Sequence, residues 1–424
     1  MFHNLYTYTD GIVRGRSGWS CTSCGFTLFF ILYGAVTSVV NTAQASPRTP
    51  VDGEEVLETL PFSVNNESAQ LKELRKQLKL HPTYISLASQ LATAYIQTAR
   101  VNSDSRYYGY AKAVLKPWWE KQRPPQEVLF LRATLQQHQH KYTQATSDLK
   151  QLLKQQPRHT QAWLTLSIIQ QLQGEYPAAR ASCSALARTS STASVWLSSL
   201  CHSQILSLTG SAERAHKLQQ VLALQVNSNQ HELRQWVLGL SAETASRLGN
   251  AEQAEKYFKQ ALALPLRDAY LLRNYSDYLI AEGRSQEVLK LLKDETKDDA
   301  LLLRLAIAAK YASESRLMEK YKRLLESCYK AASLRGSKLH ERDEALYLLE
   351  FGGDEKRALK LALANWEIQR EPDDALILLR ASLANQSDSG IQTIRDWLSQ
   401  TKLQDVRLEN LLGLYKQDQQ KGSA

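Results

Sequence analysis

The chain has 424 residues, 43% hydrophobic and 22% charged, with a formal net charge of +9; these values exclude a disordered chain and allow two or three compact domains or one long solenoid. Gly and Pro are sparse, at 18 and 11, and Leu, Ala, Gln and Lys fill most of the sequence after residue 69, which excludes a strand-rich fold and predicts an all-α one. The positive balance could draw acidic proteins, anionic lipid or nucleic acid, but the basic residues are interleaved with Asp and Glu almost everywhere, the ordinary pattern of solvated helix faces.

Arg14 and Arg16 precede an uncharged stretch from Gly25 to Val40, and Ala43 and Ala45 follow in A-x-A spacing. That order predicts a secretory signal peptide over residues 1–45, cleaved after Ala45, because the apolar run is shorter than the roughly 20 residues of a spanning helix. An uncleaved N-terminal anchor is the alternative, and it gives the same topology because the positive charges stay on the cytoplasmic side. Under either reading the bulk of the chain is exported, with the bacterial periplasm the expected destination; cleavage leaves a charge of +8. Cys21 and Cys24 lie in this leader and not beside a βαβ pattern, so their C-x-x-C spacing carries no redox or zinc reading. Of the remaining Cys183, Cys201 and Cys328, only Cys183 and Cys201 fall on successive predicted helices and can form a disulfide. Buried free thiols are the preferred reading, since Cys is among the most buried residue types.

Residues 46–69 hold three prolines and no helical period, and read as a linker. Helices begin near Leu71. From there apolar residues recur at i, i+3, i+4 and i+7, in pieces separated by Gly, Asn, Asp or Pro, which predicts packed helix pairs. Ala145 and Ala179 are 34 residues apart, as are Ala254 and Val288, and the segments around them superimpose. One unit offers Trp163, Leu166, Ser167, Gly174, Tyr176, Ala179 and Cys183. The unit before it offers Leu129, Ala133, Ala145, Leu149, Leu152 and Pro157, and a later one Leu238, Ala242, Gly249, Ala254, Phe258 and Ala261. Small residues let the two helices of a pair approach closely, large ones fill the gap to the next helix, and the glycine permits a tight reversal.

These residues in this spacing resemble the tetratricopeptide-repeat (TPR) family over roughly residues 80–380. The resemblance implies a right-handed superhelical solenoid of antiparallel helix pairs over residues 70–385, closed by capping helices and a tail over 386–424. Some units depart from the pattern. The first, around Leu91, Ala92, Tyr95, Ala111 and Leu115, carries about seven extra residues between its helices from Asn102 to Tyr108, and the fourth, starting at Trp196, about three before Gly210. Beyond Asp298 the motif fades into a longer helix pair, and Gly352-Gly353 with Ala358 and Ala362 restores a turn and second helix.

Motifs of catalysis are missing: there is no Gly-rich phosphate loop, G-x-S-x-G or H-E-x-x-H, and no enzyme, cofactor or metal is implied. His138 and His140 are two residues apart, on different helix faces, and read as an exposed turn, not a metal site. The aromatic run Tyr107-Tyr108-Gly109-Tyr110 and the pair Trp118-Trp119 could stack on a ligand, but Tyr108, Ala111, Leu115 and Trp118 keep helical core spacing, which favours plain structure. The resemblance implies partner binding on the concave face of the first helices. That face would carry Phe130 and Thr134, then Gln161, Leu164 and Ile168, then Trp236, Glu243 and Arg247, then Tyr270, Arg273 and Asp277. The Lys and Asn set with which some members clamp a terminal carboxylate is missing, and the mixed lining suits a peptide or helix held by side-chain packing. The expected function is a non-catalytic scaffold that binds a protein or peptide partner in assembly or regulation of a cell-envelope complex. Two alternatives stand beside it: an accessory subunit in polysaccharide synthesis or export, its aromatics touching glycan, and an intracellular RNA-binding helical repeat. No nucleic acid is expected as partner under the main reading, and a membrane-associated complex fits it.

Overall fold

A computed structural model of the chain describes residues 69–121, 123–189, 192–334 and 341–422. The expected signal peptide, and the linker up to residue 68, lie outside these residues. The described residues form twenty helices and no strand: α1 (Ala69–Leu80), α2 (Ile85–Asn102), α3 (Arg106–Trp119), α4 (Gln126–His138), α5 (Tyr142–Gln155), α6 (Thr160–Leu172), α7 (Tyr176–Ala187), α8 (Thr192–Leu208), α9 (Ala212–Gln225), α10 (His231–Arg247), α11 (Ala251–Leu262), α12 (Ala269–Ala281), α13 (Ser285–Leu291), α14 (Asp299–Tyr311), α15 (Ser315–Leu334), α16 (Glu341–Phe351), α17 (Glu355–Trp366), α18 (Pro372–Ala384), α19 (Asp388–Thr401) and α20 (Val406–Gly422). Most packing is between neighbours in sequence, α2 with α3, α4 with α5 and so on to α16 with α17, which is how a solenoid buries its core.

The repeat residues do what their sizes dictate. Ala133 and Ala145, Ser167 and Ala179, and Ala242 and Ala254 are fully buried at the crossings of their pairs, and Phe258 fills the space between successive pairs. Helix starts are fixed by side-chain caps: Asn250, Asp268, Asp298, Asp354 and Ser387 each accept from backbone N–H groups one or two residues into the helix that follows. The longer pair expected beyond Asp298 is α14 and α15, and α16 and α17 flank Gly352-Gly353.

The first unit corrects one expectation. Four of its seven extra residues, Asn102 and 106–108, are helical: α2 runs to Asn102 and α3 starts at Arg106, so only residues 103–105 lie between. The reason is aromatic packing on the added turns. Tyr95, Tyr107 and Tyr110 bring their ring centroids within 5.5–5.8 Å of one another, and the buried Tyr108 stacks on His138 at 3.6 Å. His138 thus serves α3, while His140 takes a left-handed turn conformation at φ 56°. Cys183 and Cys201 also differ from the preferred reading of free thiols: they are joined as a disulfide, with Cα atoms 5.8 Å apart. The small, buried Ser198 lies at this crossing of α7 and α8, and its hydroxyl donates to the Cys183 carbonyl at 2.7 Å. Cys328 is half-buried on α15.

Nothing in the repeat pattern announces that the solenoid coils back on itself. The Arg370 backbone N–H donates to the Leu172 carbonyl at 2.7 Å, and the Tyr142 hydroxyl donates to Gln369 Oε1 at 2.7 Å. Gln404 Oε1 accepts from the Ala212 N–H at 3.0 Å, and Arg267 reaches Ser103 Oγ at 3.0 Å. The turns between the helices of three successive pairs therefore form a ledge, on which Arg370, Lys402 and Val406 rest against Gly174, Gly210 and Gly249.

Gly210 shows how tight that seating is. It sits at φ +72°, and a Cβ there would lie 2.7 Å from Lys402 Cβ. Gly283 has the same φ, but a Cβ there meets nothing within 4 Å. Changing Gly283 to Val costs only the left-handed strain, about 1–2 kcal/mol. Changing Gly210 to Val adds the clash, so it is expected to lose more in denaturant unfolding and to expose the α19–α20 junction to protease. Equal losses at both positions would mean that the ledge contact is absent in solution.

Candidate partner-binding channel

The first helices of the pairs, α4, α6, α8, α10, α12 and α14, turn one side toward the inside of the coil, and α16, α18 and the start of α20 return across it. Residues expected on the concave face separate into two groups. Phe130, Thr134, Gln161, Leu164, Ile168 and Trp236 are all no more than 9% exposed. Phe130 packs in the α4–α6 core, its ring 5.0 Å from His159, and the Thr134 hydroxyl turns back to the Phe130 carbonyl at 3.0 Å. Leu164, Ile168 and Trp236 share one apolar cluster with Leu197, Leu200 and Leu240. Five of these side chains are packed into the body of the protein, while Ile168, though only 4% exposed, also borders the cavity described next.

The second group is brought together. Glu243 accepts from Asn274 Nδ2 at 2.9 Å and from the Tyr270 hydroxyl at 3.3 Å, and Arg273 lies over the Tyr270 ring at 4.7 Å. Arg247 donates to Ser207 Oγ at 2.9 Å. Asp277 pairs with Arg304 at 2.9 Å. Glu243, Arg247, Tyr270 and Asp277 line one cavity of about 100 Å³, whose far wall is Arg370, Glu371, Pro372, Asp373 and Arg407 from the returning helices.

Further ion pairs surround it: Arg304 with Asp343 at 2.9 Å, Arg342 with Glu371 at 3.2 Å, and Arg407 with Asp373 at 2.9 Å and Asp405 at 2.7 Å. Burial opposes the charge on Asp373, but Arg407, Arg273 and Arg342 outweigh it and hold the carboxyl well below the usual carboxylate range. Glu243 goes the other way. Burial pushes it up to about 7, and the nearby Arg247 only partly compensates.

Arg370, Glu371, Asp373 and Arg407 were not foreseen as lining, nor Arg304, Arg342 and Asp343 as ion-pair partners around it. Arg304 sits on an inner helix face in the expected phase, but in the stretch where the repeat motif fades; the others arrive only through the return of the chain. Among the described residues no group of three His, Cys, Asp or Glu is placed to hold a metal ion.

Glu243 gives a test of this lining. The unfolded chain ionises it near pH 4.5, while the folded channel keeps its proton to about 7, so wild-type stability falls as pH rises across that window. Changing Glu243 to Gln keeps an uncharged partner for Asn274 and Tyr270. The variant is expected to match wild type at pH 4 and to exceed it by roughly 1–3 kcal/mol at pH 8, read by denaturant unfolding at both pH values.

The tetratricopeptide repeat family profile matches residues 130–194, which span α4 to the start of α8. The chain carries tetratricopeptide repeats. Repeats of this kind generally mediate contacts between proteins and form non-catalytic scaffolds. No curated protein matches the chain. The TPR match covers two of the three units whose residues hold closely to the family spacing. The helix pairs on either side continue the same packing with weaker motifs.

Proposed function

We propose that the chain is an exported, non-catalytic TPR scaffold that holds a polypeptide partner of a cell-envelope complex in its inner channel. The observation that carries this reading is the character of the channel wall. Tyr270, Arg273, Glu243 and Asp277 are half-buried and mixed in charge, and the wall opposite them meets α5, α6 and α9 through polar contacts at Gln369, Arg370 and Gln404 together with the packing of Ile368, Lys402 and Val406 on the ledge. The hydrogen bonds of this seam exchange with water at little net cost, about 1 kcal/mol each, and its apolar contacts are confined to a few side chains on the ledge, so opening along it would leave the lining to a peptide or helix. Export is supported by the leader, and a buried disulfide suits an oxidising compartment.

A photo-crosslinking residue at position 270, inside the channel, compared with one at position 224 on the outer surface, where Leu224 is 87% exposed, tests this reading. Crosslinks from position 270 to one discrete envelope protein are the expected result. Crosslinks from position 224 alone would place the partner outside the channel. A reporter fused after Ala45 that stays in the cytoplasm would remove the export half.

A further inference from the structure

Most of the net charge of the described residues sits at one end of the coil. Residues 69–123, which make α1 to α3, carry ten basic residues against three acidic ones, whereas the 301 residues from 124 onward carry 39 against 34. The interleaving of charges thus holds beyond α3 and fails within it. Lys76, Lys79, Lys112, Lys116 and Lys121 are all exposed, and none forms an ion pair among the described residues. Helices α1 and α3 both pack on α2 and share one apolar core with it, so their charges belong to a single end of the molecule.

Apolar groups stand among those charges. Leu80 is 67% exposed, Tyr84 62%, Val101 61% and Tyr110 50%, and Lys112 Nζ lies 5.3 Å over the Trp119 ring. Under the uncleaved-anchor alternative, the 28 residues 41–68 between the uncharged run and α1 set an upper limit of about 100 Å on the distance from the membrane to the α1–α3 end.

We propose that the α1–α3 end docks on an anionic lipid surface. Lysines are compact point charges on flexible stems that gather diffuse negative charge, and isolated Leu, Val and Tyr side chains suit the headgroup boundary. A single strand of nucleic acid would need a row of free ring faces to stack on, whereas Tyr95, Tyr107 and Tyr110 are packed on one another and Tyr84 stands apart as one exposed ring. The cavity lies elsewhere, between α6–α12 and the returning helices, and the channel partner is a separate matter that this surface does not depend on.

The test uses the protein as the host cell delivers it, mixed with vesicles of phosphatidylcholine alone or with about one third phosphatidylglycerol. Wild type is expected to bind the anionic vesicles at least about tenfold better than the neutral ones, and to lose that preference near 0.5 M salt. Changing Lys76, Lys79, Lys112, Lys116 and Lys121 to Gln is expected to abolish the preference with helical circular dichroism unchanged. A control with Lys217, Lys256, Lys290, Lys356 and Lys360 changed to Gln is expected to keep it; any leader is common to all three proteins. The proposal falls if wild type shows no anionic preference, if the control loses it equally, or if single-stranded RNA competes the protein off the vesicles at stoichiometric concentration.

Discussion

Changing Arg304 to Ala is expected to lower the unfolding free energy by about 3–5 kcal/mol, the cost of breaking a buried ion pair from one side. Only 4% of the Arg304 side chain is exposed, and it pairs with Asp277 and Asp343, each at 2.9 Å. Its Nη1 also donates to the Ala300 carbonyl at 3.2 Å. Burial alone would raise the Asp343 carboxyl, but Arg304 and Arg342 outweigh it and hold the group well below the usual carboxylate range. Without Arg304 a buried carboxylate loses its closest counter-charge. The sign with pH follows. A group whose folded pKa is depressed contributes stability above its unfolded pKa, about 4, and loses that contribution as pH falls toward the folded value. Wild type is therefore expected to lose stability below about pH 4, and the variant to lose less there because it has less to lose. Changing Arg304 to Met together with Asp343 to Leu removes both charges and is expected to cost less than the single change. Urea unfolding of the three proteins at pH 7 and pH 3 checks all of these outcomes.

Reduction of the Cys183–Cys201 disulfide is expected to cost about 3 kcal/mol, the chain-entropy value for a closed loop of this size. The two cysteines are 18 residues apart and join α7 to α8 in the middle of the coil, so the loss is expected to appear as a lower midpoint for the whole transition. Thermal unfolding with and without reductant, with free thiols counted by mass after alkylation, gives the answer. Changing both cysteines to Ala should reproduce the reduced value. An unchanged midpoint in protein shown to be fully reduced would mean that the bond adds nothing to the packing already present.

What the sequence shows of this fold depends on how far apart the deciding residues lie. Ala145, Ala179, Gly174 and Phe258 act within one pair or between neighbouring pairs, so their size and spacing carry the message, and the elements they mark are where they were expected. The extra turns in α2 and α3 were mistaken for a loop because the tyrosines that stabilise them pack among themselves, outside the repeat code. The candidate site was half legible. Glu243, Arg247, Tyr270, Arg273 and Asp277 stand at the concave-face positions that the repeat resemblance implies, and they do meet. Phe130, Leu164 and Trp236 share that phase, yet the inward curl of the coil turns the same positions into core. The curl itself is the summed small rotation of many pairs. No single residue encodes it, and contacts such as Leu172 with Arg370 are invisible until the chain has been traced through them.

Closure of the coil can be measured directly. Spin labels at Glu213 and Lys402, both exposed, in a protein with Cys328 changed to Ser, would sit on either side of the contact between Ala212 and Gln404. The closed coil predicts a narrow distribution within one or two helix diameters, about 10–20 Å. In an open solenoid each pair touches only its neighbours, and the labels would be separated by several interhelix spacings of about 10 Å each. A broad distribution centred at such long distances would contradict the closed channel and the ledge on which the returning helices rest.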